Sequence, residues 1–164
     1  MKTQTIAFAI CLLAVNVCFT QQGNDHQNPG HVLVNPTQIQ WQAAGPSLPP
    51  GAQLAVLDGD PAKPGAQYAI GLKLPAGYQI PPHWHPMDAS VVVVKGTFVM
   101  GLGDKVDRSR GHELRVGTFM RMSKGVRHFE WTKGETIVYI SGAGPLDTIY
   151  VNAADDPRHK SGSR

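Results

Sequence analysis

The 164-residue sequence contains seven histidines: His26, His31, His83, His85, His112, His128 and His159. Two of them, His83 and His85, are separated only by Trp84. In an extended chain, side chains two residues apart point to the same face, so both imidazoles project together with Trp84 opposite. Neutral imidazole is a common ligand of transition metals, and two on one rigid strand form half of a chelate. Pro81, Pro82 and Pro86 flank the pair and stiffen it, which limits the entropy lost on coordination. An H-x-H pair alone does not establish a metal site. His26 and His31 lie in a polar stretch, His112 in a glycine-containing turn and His159 in a polar tail. These four read as solvated side chains. Met87, Met100, Met120 and Met122 offer thioethers, soft ligands suited to copper. Met120 and Met122 share one strand face, however, which is the ordinary position of core filling.

Short strands would have to position these residues. Eighteen glycines and 13 prolines all lie beyond residue 20, a content that long helices do not tolerate. Tyr68, Ile70, Leu72 and Leu74 alternate with Ala69, Gly71 and Lys73, the period of a half-buried strand. Val91–Val94 is a continuous β-branched run, which predicts a strand covered on both faces. Further strands are expected at 97–102, 113–116, 118–122, 128–132, 135–141 and 148–151, separated by turns at Pro75-Ala76-Gly77, Lys95-Gly96, Arg110-Gly111, Lys124-Gly125 and Lys133-Gly134. About ten short strands at this spacing predict an all-β sandwich or barrel. Hydrophobic residues at 41% suffice for one core, and charged residues at only 16% argue against a disordered chain.

The two ends read differently from the middle. Residues 1–20 carry one charge, Lys2, and an apolar run from Ile6 to Val15, about half the length of a membrane span. They read as a secretory signal, which predicts a secreted or periplasmic protein with no stable membrane span in its mature form. An uncleaved anchor is the competing reading, and Cys18 raises a lipidated cysteine, against which the bulky Val17 argues. Cys11 and Cys18 both fall within the signal, so the mature chain is left with neither disulfide nor thiol chemistry. Residues 21–50 form a polar arm, with Trp41 as its one evident tether, and residues 153–164 a disordered tail. The formal net charge of +3 shrinks to 11 basic against 10 acidic residues once signal and tail are set aside. No basic run interleaves with aromatics, so nucleic acid is not an expected partner.

Residues 77–96, GYQIPPHWHPMDASVVVVKG, resemble the first cupin motif, G-(x)5-H-x-H-(x)3,4-E-(x)6-G, with Gly77, His83, His85 and Gly96 at the required spacings. Residues 117–128, GTFMRMSKGVRH, resemble the second, G-(x)5-P-x-G-(x)2-H-(x)3-N, through Gly117, Gly125 and His128. PPHWHPMD, HFEWTKGET and GPLDTIYVNAADDP extend the likeness over nearly the whole mature chain, toward small acetylacetone-dioxygenase-like and anti-sigma-factor cupins. The resemblance implies an antiparallel jelly-roll β-barrel over residues 51–152, with His83, His85 and His128 as metal ligands near one mouth. It also implies a homodimer.

The departures matter as much. The motif's metal-binding Glu falls at position 89, where this chain has Ala89, so a complete three-His-one-Glu site is excluded. Asp88 is adjacent, but strand alternation points it to the other face, and it reads as a turn or surface carboxylate. Ser123 and Thr132 replace the Pro and Asn of the second motif, which affects a turn and a strand end. Glu130 lies two residues after His128 and shares its strand face, about 7 Å away along the strand. It either replaces part of the missing ligand, acts as an acid or base, pairs with a nearby Arg, or reaches solvent at the barrel rim. Three imidazoles suit iron or zinc first, with nickel, copper and manganese as further candidates. The expectation is a metal-binding cupin, a dioxygenase-like oxidoreductase acting on a small chelating substrate. The alternative is a non-catalytic domain that binds or senses a small ligand or metal.

Overall fold

The computed structural model describes residues 30–159. The expected signal, Cys11, Cys18, His26 and the last five residues therefore lie outside the described residues. Two units are distinguished, Met1–Val32 and Leu33–Arg164, and the architecture belongs to the second.

Eleven strands are present among the described residues: β1 Gln42–Ala43, β2 Gln53–Gly59, β3 Gln67–Leu74, β4 Gln79–Trp84, β5 Ala89–Lys95, β6 Thr97–Leu102, β7 His112–Arg115, β8 Phe119–Met122, β9 His128–Thr132, β10 Thr136–Ala143 and β11 Ile149–Tyr150. They form a six-stranded sheet in the order β1-β2-β3-β10-β5-β8 and a five-stranded sheet in the order β11-β4-β9-β6-β7, antiparallel throughout. This is the antiparallel jelly-roll barrel of the cupins. The core draws on both sheets, with Ile70, Leu72, Val91 and Val138 from one and Ile80, Phe98 and Tyr150 from the other.

The valine run differs from expectation. Val91 and Val93 are each 1% exposed, but Val92 between them is 36% exposed. An antiparallel sheet packs one face on the core and leaves the other to water, so β-branched residues on the outer face mark strand propensity, not burial.

Both ends of the domain extend beyond the expected limits. Trp41 lies on Gly71 of β3, where an added Cβ would approach its ring to 2.9 Å, and the Lys73 ammonium sits 4.6 Å from the ring centre. The Tyr78 hydroxyl donates to Pro49 O and the Tyr150 hydroxyl to Ser47 O (2.9 Å), so the segment 44–49 is hydrogen-bonded to the barrel. Residues 153–159, set in the tail by composition, form two short 3-10 turns with Asp156 buried. Composition does not reveal them because the contacts that hold them are polar.

One feature of β4 sets up the site. Gln79 and Ile80 pair with Trp131 and Glu130 of β9, but the next pair is His83 with His128, so β4 carries one extra residue there. Pro81 and Pro82 fill the gap. Neither has an N–H to continue the ladder, and a bulge is the usual resolution. The bulge shifts the phase, so Ile80 and His83 are both buried and His83 lies directly across from His128.

Gly96 joins β5 to β6 at φ +77°, and an added Cβ would lie 2.3 Å from Glu135 O. Gly96→Ala is expected to destabilise the protein by about 2–4 kcal/mol through combined strain and backbone overlap. Urea unfolding followed by tryptophan fluorescence measures it.

Candidate metal centre

His83 comes from the end of β4, His85 from the residue after it and His128 from the start of β9. Their ring centres lie 4.9 Å (His83–His85), 4.3 Å (His83–His128) and 5.2 Å (His85–His128) apart, and one ligating nitrogen of each falls within 4.8 Å of the others. All three are buried.

Each ring is oriented by the same device. Nδ1 of His83 lies 2.8 Å from Pro81 O, Nδ1 of His85 lies 2.7 Å from Asp147 O, and Nδ1 of His128 lies 2.9 Å from Val126 O. A carbonyl can only accept, so each Nδ1 carries the proton and each Nε2 is left with a lone pair. Backbone contacts of this kind fix tautomer and orientation in metal-binding histidines. His128 Nε2 is buried without a hydrogen-bond partner, an arrangement that a metal ion would satisfy. Burial lowers the tendency of all three rings to protonate, and for His83 the neighbouring His128 and His85 add to the effect. Three neutral imidazoles with free Nε2 lone pairs are the donor set of a transition-metal site.

Two loops are tied together around the cluster. Gly125 N donates to His85 O (2.9 Å), and Asp88 accepts from Lys124 N (2.8 Å) and from the Arg121 guanidinium (2.5 Å). Asp88 thus points away from the histidines and pins the turn that leads into His128. Thr132 accepts from Tyr78 N (3.0 Å) and donates to Pro75 O (2.6 Å), which fixes a strand end. Met122 and Met120 pack into or against the core, as expected, while His112 and His159 are exposed.

Glu130 is brought to the cluster. Its carboxylate oxygens lie 3.8 Å from His83 Nε2 and 3.6 Å from His128 Nε2, and the residue is only 5% exposed. Desolvation pushes its carboxyl up to about 7, with the nearby His85 acting weakly in the other direction. Among the described residues no arginine pairs with it; it faces the imidazoles. Ala89 is buried in β5 between Gly142 and Met122 and presents only a methyl group.

The residues missed by sequence reasoning hold His85. Asp147, whose carbonyl orients that ring, accepts from Arg158 Nη1 at 3.0 Å. Arg158 Nη2 also donates to Thr148 O (2.8 Å) and to Asp156 (2.8 Å). Arg158 reads as a tail residue in the sequence; the one local signal was Asp156 two positions before it. A cavity of about 180 Å3 adjoins the cluster, lined by His83, His85 and Glu130 at one end.

A family model described as a domain of unknown function, DUF4437, matches residues 22–149. The chain belongs to the DUF4437 family. No curated protein matches it. Among solved structures, this DUF4437 chain is similar to the polyketide cyclase RemF of Streptomyces resistomycificus, at 18% identity over 80% of this chain and 92% of that one, TM-score 0.60. It is similar to an RmlC-like cupin of Shewanella frigidimarina (16% identity, 69% and 90% of the chains, TM-score 0.52). An acetylacetone-dioxygenase-like protein of Methylibium petroleiphilum matches at 21% identity over 70% and 77% of the chains, TM-score 0.55. At these identities the likeness establishes the cupin fold.

Two outcomes follow from the geometry. Arg158→Ala is expected to weaken zinc binding about tenfold by loosening the carbonyl that orients His85, the low end for an outer-shell change; competition with a chromogenic chelator reads it. Glu130→Gln is expected to stabilise the metal-free protein at pH 8 by about 3 kcal/mol, since the folded-state carboxyl, raised to about 7, is then a buried anion. The gain shrinks as pH falls through 7 and vanishes below about 4.5, where the carboxyl is protonated in both states. Paired thermal melts across pH 4–8 cancel the histidine titrations common to both proteins.

Proposed function

We propose that the chain is a metal-dependent cupin enzyme, a dioxygenase-like oxidoreductase acting on a small chelating substrate, exported by the signal expected at residues 1–20. The observation that carries this reading is the convergence of three buried imidazoles whose Nδ1 protons are all committed to backbone carbonyls. His83, His85 and His128 would hold the ion, with iron or zinc the leading candidates and nickel, copper or manganese behind them. Once bound, a divalent ion in such a site polarises a chelating oxygen or activates dioxygen. The likeness to the acetylacetone-dioxygenase-like protein is consistent with that chemistry.

The chain's own residues supply the rest. Three protein ligands leave positions open for substrate. Glu130 faces two of the ligand nitrogens, so its carboxylate can complete the donor set or take the proton released by an ionising substrate hydroxyl. The apolar cavity walls keep bulk water from that proton.

A second reading, a non-catalytic domain that binds or senses a ligand or metal, is favoured by one observation. Ala89 contributes no ligand where the cupin motif has Glu, and a weaker site suits reversible binding as well as turnover. Elemental analysis of the exported protein, prepared without a polyhistidine tag, decides the first step. About one iron or zinc per chain is expected, and none in His83→Ala. Oxygen uptake with β-dicarbonyl compounds then separates the two readings, because the sensor reading predicts binding without turnover. No metal in either protein would overturn the metal reading.

A further inference from the structure

The cavity beside the histidines is asymmetric in chemistry. Among its polar lining residues, His83, His85 and Glu130 lie together, with Asp147 against His85 and Thr148 next to it in sequence; Ser47 also lines the space. The remaining wall is built largely from Leu54, Ile70, Leu72, Val91, Phe98 and Val138, contributed by both sheets. Its outer part includes Ala44 and Leu48, from the segment that Tyr78 and Tyr150 hold against the barrel.

No lysine or arginine lines it among the described residues, whereas two acids do, Glu130 and Asp147. The Arg158 guanidinium is committed to Asp147, Asp156 and Thr148 O. A carboxylate or phosphate entering this space would lose its water without gaining a cation in the apolar section. A neutral ring would exchange water for aliphatic and aromatic contacts at no such cost. Volume bounds the guest as well. A cavity of about 150 Å3 lined by Leu, Ile and Phe takes a benzene-sized molecule. This one, at about 180 Å3, has room for one such ring and a small substituent.

We propose that the cavity takes a neutral, largely apolar organic molecule of about single-ring size, with its hydroxyl or carbonyl oxygens directed to the histidine end, and that its walls disfavour carboxylates and phosphates. The orientation of the oxygen rests on the metal reading of the histidines; the size and charge selection rest on the walls alone. The donor end suits such an oxygen even without an ion, since a hydroxyl can donate to Glu130 or to an Nε2 lone pair.

The test uses phenol and benzoate as probes of nearly equal size and opposite charge character, titrated calorimetrically into the full mature chain, both zinc-loaded and metal-free. In the metal-free protein, where no divalent ion can hold a carboxylate, phenol is expected to bind at least tenfold more tightly than benzoate. Val138→Phe, which fills the apolar end, should abolish phenol binding. Leu48→Arg, which adds a cation at a partly buried position of the wall beside the core, should raise benzoate affinity about tenfold and keeps the proposal open to refutation if Val138→Phe does not fold. Benzoate binding to the metal-free protein as tightly as phenol overturns the proposal. So does phenol binding that neither substitution changes, since the ring would then sit elsewhere. Zinc stoichiometry on the same samples separates the two readings. Phenol selectivity on a chain that takes up no zinc supports the cavity assignment and sinks the metal reading. One zinc per chain without phenol selectivity does the reverse.

Discussion

Three hydrogen bonds from histidine Nδ1 to backbone carbonyls are the constraint around which the rest of the site is arranged. Pro81 O and Val126 O lie two residues before the rings they hold, so for His83 and His128 the strand itself supplies the acceptor. His85 differs: its acceptor, Asp147 O, comes from a segment 62 residues away. One ring of the three therefore depends on the closure of the whole barrel and on Arg158, which holds that segment in place. Protonation of any ring at Nε2 would place a cation in a buried cluster, and burial opposes it in all three. The same desolvation that keeps the imidazoles neutral keeps their lone pairs available.

The loss of the motif carboxylate and the presence of Glu130 belong together physically. A buried carboxylate is costly unless something compensates its charge, and Glu130 faces two imidazoles at 3.6–3.8 Å. It reaches the cluster from β9, through the same strand face as His128, whereas position 89 lies on β5 in the opposite sheet. A carboxyl group thus remains beside the histidines although Ala89 offers none. What changes is the direction from which it arrives. With no acidic side chain at position 89 and aliphatic neighbours on β3, β5 and β10, the six-stranded sheet presents an apolar wall to the cluster.

Sequence and structure agree where the signal is local. The alternation in 67–74, the glycine-marked turns and the H-x-H pair all concern residues within a few positions of each other, and β3, the turn at Gly96 and the shared face of His83 and His85 follow. The valine run was read too strongly, since β-branching promotes strands on either face and does not report burial. The polar composition of 153–159 and the mixed composition of 44–49 give no sign of the hydrogen bonds these segments make. Tyr150 reaching Ser47 across 103 positions and Arg158 reaching Asp147 leave no periodic trace.

The sequence by itself determined the strand-rich class, the absence of a motif glutamate and the identity of three histidines and one glutamate able to do chemistry. The tertiary structure alone decided that these four converge. His83 meets His128 only because the Pro81-Pro82 bulge shifts the β4 register by one residue against β9, and a register is a property of two strands, set by their pairing. The orientation of His85 and the largely apolar make-up of the cavity wall are likewise sums over distant segments. Local propensity can specify where a side chain points along its own strand, but what it faces is fixed only when the sheets close around it.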